Sequence, residues 1–185
     1  MRTVAALFVA ALTVLTGCSA DGLPIEEYAV EVEVSASAYA DDVAGLFERN
    51  VTELETAVSR LQDEFEGEAL ADAAVSETAR LASMMFAGIS DATDRYIVGL
   101  DGLDATSSVE TEHSAYVAAL TASRQGTGDL LAALAGAATF EDIDRSIGSS
   151  GVRDAQPRVD ATCRSLEQAI RALGPAVDLR CVGSG

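Results

Sequence analysis

The sequence predicts an all-α protein: an antiparallel helical bundle with a long N-terminal helix and a C-terminal tail tethered by a disulfide. Three observations carry that expectation. Apolar residues recur at threes and fours through nearly all of the chain after residue 24, turn-forming residues separate the stripes, and a Gly174-Pro175 stop lies between Cys163 and Cys181. Long helices joined by short turns bury such stripes most simply by packing antiparallel.

The first stripe comprises Ile25, Tyr28, Val32, Tyr39, Val43, Leu46, Asn50, Leu54, Val58, Leu61 and Phe65, with Ala36 filling its gap. One helix of about 40 residues, roughly 60 Å long, would present it to a partner. Val30, Val32 and Val34 alternate with Glu31 and Glu33, which is the strand pattern, but the longer period runs through and beyond them. Gly67 is expected to break the chain. A second stripe follows in Leu70, Ala73, Glu77, Leu81, Met84, Met85, Ile89, Ala92, Tyr96 and Leu100, and Asp101-Gly102-Leu103-Asp104 reads as a turn.

Ser107 or Ser108 is the expected cap of a third helix carrying Val109, Tyr116, Val117 and Leu120. Gly126-Thr127-Gly128 is expected to interrupt it, with Asp129 capping a short helix that ends near Gly136. Thr139 with Asp142 resembles a capping box opening another short helix. After a flexible break at Gly148-Ser149-Ser150-Gly151, the last helix is expected to begin between Asp154 and Pro157. It would run through Val159, Cys163, Leu166, Ile170 and Leu173 to the Gly174-Pro175 stop. An extended tail of about six or seven residues spans the roughly three turns back to Cys163, so Cys181 would reach it, with Leu179 and Val177 packing on the helix.

The start of the chain has a different character. Arg2 precedes an apolar run over residues 4–15, then Leu15-Thr16-Gly17-Cys18, the three-part layout of a secretory signal. The run is about a dozen residues, short of the roughly 20 needed to span a bilayer. Its last four residues resemble the bacterial lipobox: an aliphatic residue, a small polar one, Gly, then Cys. In that family the Cys thiol receives a diacylglyceryl group and the signal peptidase cuts just before it. The resemblance implies a signal peptide over 1–17, a lipidated Cys18 opening a short linker over 18–24, and a bundle domain over 25–185. It also implies a place on the extracytoplasmic face of the cell membrane, held by acyl chains. The competing reading is an ordinary signal followed by a chance Cys.

Removing 17 of the 185 residues leaves 168, enough for one domain with a core. The formal net charge is -18, and such a surface is repelled by phosphate backbones and anionic head groups. Nucleic acid is therefore not an expected partner, and membrane attachment through a basic patch is excluded. With Cys18 acylated, Cys163 and Cys181 remain as a pair, in a compartment where disulfides persist. Closing that loop would stabilise the fold by roughly 3 kcal/mol in the chain-entropy picture. Two free buried thiols are the alternative, and a metal site would lack a second His or a nearby Cys.

The segments Glu112-His113-Ser114-Ala115-Tyr116, Cys163-Arg164-Ser165-Leu166-Glu167 and Val177-Asp178-Leu179-Arg180-Cys181 resemble a group of uncharacterised secreted or lipid-anchored actinobacterial proteins. These share a helical body, a mid-chain His and a final Cys-x-x-Leu helix followed by Val-Asp-Leu-x-Cys. The resemblance covers the C-terminal half. It implies a helical envelope protein and a Cys163–Cys181 bridge, and brings no activity with it.

Little in the sequence carries catalytic chemistry. The chain has no Lys, which removes a Walker lysine, a Schiff-base lysine and a Ser-x-x-Lys nucleophile. His113 is the one His, and no Gly-x-Ser-x-Gly elbow accompanies it. Glu110 and His113 share a helical face, but a di-iron bundle needs two such pairs and two more Glu, so a hydrogen-bonded or solvent-facing His is expected. Asp41-Asp42 and Asp142 with Asp144 lack the spacing of a calcium loop and read as solvated faces. Met84, Met85 and Phe86 are candidates for an adaptable groove, with core packing their commoner fate.

No catalytic residue, metal or cofactor is expected. The leading function is a non-enzymatic interaction or structural module of the cell envelope, contacting another envelope protein. The alternative is a small-ligand or ion-binding protein with an inter-helical pocket near His113, Glu110 and Tyr116. A packed core with an exposed apolar stripe would favour the first, and an enclosed cavity holding polar groups the second.

Overall fold

The computed structural model describes residues 22–181; the expected signal peptide and Cys18 lie outside them. Five helices follow in order: α1 (Ile25–Glu64), α2 (Gly67–Asp101), α3 (Glu110–Leu134), α4 (Phe140–Gly148) and α5 (Gly151–Ala172). No strand occurs among the described residues. Side by side, α1 packs on α2, α2 on α3 and α3 on α5, while α4 caps one end of α3. The four long helices form the antiparallel bundle that the periodicity predicts.

Helix α1 settles the ambiguous valines. A strand would place Val30, Val32 and Val34 on one face, whereas a helix puts Val32 opposite the other two. Val32 is fully buried, and Val30 and Val34 are 58% and 61% exposed. Together with Tyr28, Ala29 and Ala36, Val32 forms the α1 side of the main core, against Tyr96 and Leu100 of α2, Tyr116 and Leu120 of α3, and Cys163, Leu166 and Ile170 of α5. Farther along, the stripe departs from expectation. Leu54 and Val58 face solvent and Ala57 is buried in their place, while Leu61 is buried as expected. Only α2 packs extensively on α1, so a narrow face suffices there. Arg60 and Arg80 converge on Glu77 across this end of the α1–α2 pair.

Gly126-Thr127-Gly128 does not interrupt α3, which runs unbroken to Leu134 with no separate helix capped by Asp129. Gly126 serves close packing instead. A Cβ there would lie 2.5 Å from the carbonyl carbon of Gly151 at the start of α5. That contact seats the start of α5 on α3; the helix begins at Gly151, ahead of the expected start, and carries Pro157 inside it. Interior proline costs a helix about 3 kcal/mol, and here Val152, packed on a second small core of Ala79, Leu130, Leu134 and Ile143, holds the preceding turns in place.

Neither Ser107 nor Ser108 caps α3. The N-cap is Val109, fully buried and without a side-chain cap, its amide bonded to the Thr106 carbonyl. The capping box at α4 forms as expected: the Asp142 amide donates to Thr139 Oγ1 at 3.1 Å, and Asp142 Oδ2 accepts from that hydroxyl at 2.8 Å. These bonds hold the Asp142 carboxyl below its usual range, the Thr139 bond most strongly. Residues placed in the linker prove to be docked. The Leu23 amide donates to the Asp104 carbonyl at 2.8 Å, and Gly22, at φ +79°, lies so close to Ala105 that a side chain would clash.

The tail beyond α5 folds back as predicted. Cys163 and Cys181 form a disulfide, and Val177 and Leu179 are buried. A polar clamp holds the returning strand of chain. Arg171 donates to the Val177 carbonyl and pairs with Glu167, whose other oxygen accepts the Leu179 amide at 3.0 Å. Arg180, at φ +51°, then reaches across to Asp41 of α1 at 3.0 Å.

Candidate functional site

Because α1 and α5 occupy the two edges of the helix row and do not pack along each other, a gap remains between them. The tail closes part of it. What is left is a pocket of about 540 Å³ bounded by α1, α2, α3, α5 and residues 179–181. Its walls are chiefly apolar, with Val43 and Phe47 on α1, Phe86 and Ile89 on α2 and Val159 on α5. Both disulfide cysteines belong to its lining.

The chain has four tyrosines, and the bundle gathers them. Tyr39 and Tyr96 stack with ring centroids 4.8 Å apart and planes 12° from parallel, and Tyr116 meets Tyr96 edge-on at 6.1 Å. These three line the pocket. The Tyr96 hydroxyl is buried with no hydrogen-bond partner; Tyr116 lies near enough to act on it electrostatically without completing a bond of ordinary geometry. Burial raises the Tyr96 phenol far above its ordinary value and pushes Tyr116 up to about 12, so both are neutral. Thr93 and Thr127 on the walls donate to the carbonyls of Ile89 and Ser123 in their own helices. Asp160 accepts from Gln156 Nε2 at 2.9 Å.

The fourth tyrosine belongs to a separate pair. The Tyr28 hydroxyl lies 2.7 Å from His113 Nδ1, both side chains buried. Burial lowers the His113 pKa, against an opposing pull from Asp101, and raises that of Tyr28. The imidazole is therefore neutral; a phenol is a stronger hydrogen-bond donor than an imidazole N–H, which assigns the donor role to Tyr28 and the ring proton to Nε2. Of the two expectations for His113, the hydrogen-bonded one holds and the solvent-facing one fails.

The sequence-predicted ligand set is not brought together. Glu110 is exposed at the start of α3 while His113, one turn on, points into the core, and only Tyr116 of the three lines the pocket. Phe86 joins the lining, whereas Met84 is half exposed with Arg80 against its sulfur. Tyr39 and Tyr96 stand on the stripes the sequence predicts, whereas nothing in the sequence marks Thr93 or Asp160 as site residues. The visible signal was that Tyr39, Tyr96 and Tyr116 each lie on the buried stripe of a different helix. Among the described residues no group of His, Cys, Asp or Glu is placed to hold a metal ion, and no helix is long and apolar enough to cross a membrane. No family model, curated protein or solved structure matches the chain.

Proposed function

We propose that this chain is a non-enzymatic, lipid-anchored binding protein of the cell envelope that holds a small, mainly apolar molecule in the pocket between α1 and α5. The observation that carries this reading is the pocket itself. Its volume of about 540 Å³ falls in the range of small-molecule sites, and it combines apolar walls with a few polar groups, one of them the unpartnered Tyr96 hydroxyl. The lipobox resemblance at Cys18 supports the anchor: with a net charge of -18, covalent lipid is the physically reasonable attachment.

Titration with Nile red, an uncharged dye that brightens in apolar surroundings, tests the pocket. Saturable one-to-one binding is expected, and Ala40→Trp, which adds bulk to the lining, is expected to abolish it while leaving the far-UV helical signal intact. Absence of saturable binding, or binding that Ala40→Trp leaves untouched, overturns the reading. In the same cells, Cys18→Ala is expected to release the protein from the salt-washed membrane fraction, and retention would refute the anchor.

A second reading, an interaction module contacting another envelope protein, is supported by a different surface. Phe47, Val51, Leu54 and Val58 form an exposed stripe on the far half of α1, between 40% and 56% accessible. Of these, only Phe47 also lines the pocket.

A further inference from the structure

We propose that the pocket selects an organic cation: an amine or quaternary ammonium group carried on an apolar body. This rests on the pocket being a binding site. Three hydroxyls of the lining, those of Tyr39, Thr93 and Thr127, have already committed their protons and offer acceptors. Thr93 Oγ1 donates its one proton to the Ile89 carbonyl at 2.8 Å, and Thr127 Oγ1 donates to that of Ser123 at 3.2 Å. Each hydroxyl has only lone pairs left to offer. Tyr39, 3.3 Å from Thr93 Oγ1, must then be the donor in that bond, which leaves its own oxygen as an acceptor.

Charge points the same way. Asp160, half-buried in the lining, accepts one hydrogen bond from Gln156 and forms no ion pair among the described residues. The cationic side chain that shares the lining, Arg180, is already paired with Asp41. Tyr116 lies close enough to Asp160 to feel its charge, and Tyr39 and Tyr96 share the same lining; aromatic rings of this kind attract a desolvated cation. An anion would meet the Asp160 carboxylate, with the guanidinium of Arg180 already neutralised by Asp41. A neutral guest would gain nothing from the charge of Asp160. The net charge of -18 also raises the concentration of cations near the pocket mouth.

The test compares three eight-carbon probes on the full chain, each below its micelle concentration: octyltrimethylammonium, octanol and octyl sulfate. Tyrosine fluorescence is the readout, since the chain has no Trp and three of its four tyrosines line the site. Octyltrimethylammonium is expected to bind roughly tenfold or more tightly than octanol, and octyl sulfate most weakly. Asp160→Asn should bring the cation and octanol close to parity. Equal affinities for the three probes, or a cation preference that Asp160→Asn leaves intact, overturn the inference while leaving the pocket reading in place. Failure of every probe, together with Nile red, overturns both.

Discussion

A single buried hydrogen bond ties the start of α1 to the start of α3. His113 accepts from Tyr28 across 85 residues of chain, and both side chains are buried. Removing the acceptor strands a buried hydroxyl, so His113→Leu is expected to cost about 1–3 kcal/mol. Adding Tyr28→Phe removes the stranded group and should recover part of that loss, a coupling read directly from denaturant unfolding of the four variants. The pH dependence has a definite sign. The pKa of His113 is lowered on folding from its ordinary 6.5, so the unfolded chain binds the proton more readily. Stability from this group is fully present above that value and is lost as pH falls toward the folded pKa. The difference in thermal midpoint between wild type and His113→Leu should therefore shrink as pH is lowered from 8 toward 5. A constant difference would show that the imidazole titrates freely in the folded state.

Two glycines two residues apart, on opposite faces of the helix, separate helix propensity from packing. Gly126 and Gly128 both sit inside α3, and both were expected to end it. A side chain at Gly126 would strike the backbone of Gly151 and Val152, whereas nothing lies within 4 Å of a Cβ at Gly128. Gly126→Ala is expected to destabilise by about 1–3 kcal/mol through overpacking. At Gly128 the same change should stabilise by about 0.5–1 kcal/mol, because alanine loses less freedom in a helix. Chemical denaturation of the two variants decides the matter: changes of the same sign would mean that the α3–α5 crossing is not as close as described. Among the elements, α1, α2, α4 and the tail were legible because each advertises a local signal, whether a long stripe, a capping box or a Gly-Pro stop. The unbroken α3 and the early start of α5 were not, since the contact that seats one on the other joins residues 25 positions apart.

At the scale of the whole molecule, the disulfide secures the tail and completes the pocket at once. Cys163, Leu179 and Cys181 are buried and all line the cavity, while Glu167 and Arg171 hold the backbone between them. Reduction, or the Cys163→Ser and Cys181→Ser pair, is expected to lower stability by about 3 kcal/mol through release of a loop of this length. It should also weaken Nile red binding, because residues 179–181 form part of the wall. Loss of stability with unchanged dye affinity would show that the tail is a brace only. Exposed ion pairs such as Arg95–Asp42 and Arg124–Asp94 add little to this balance, since solvent screens them.

The helical class, the length of α1, the register of its first half and the return of the tail follow from local periodicity and breaker residues, which act over a few turns and can be read along the chain. The same holds for the pairing of Cys163 with Cys181, whose separation matches the helix stop between them. Only the tertiary structure decided that His113 is buried against Tyr28 while Glu110 faces solvent, because a shared helical face does not fix how far each end of it lies from the core. The pocket, too, is a tertiary property. It exists because α1 and α5 stand at opposite edges of the helix row, and its polar lining of Tyr39, Thr93, Tyr96 and Asp160 comes from three helices whose separation in sequence gives no sign of their meeting.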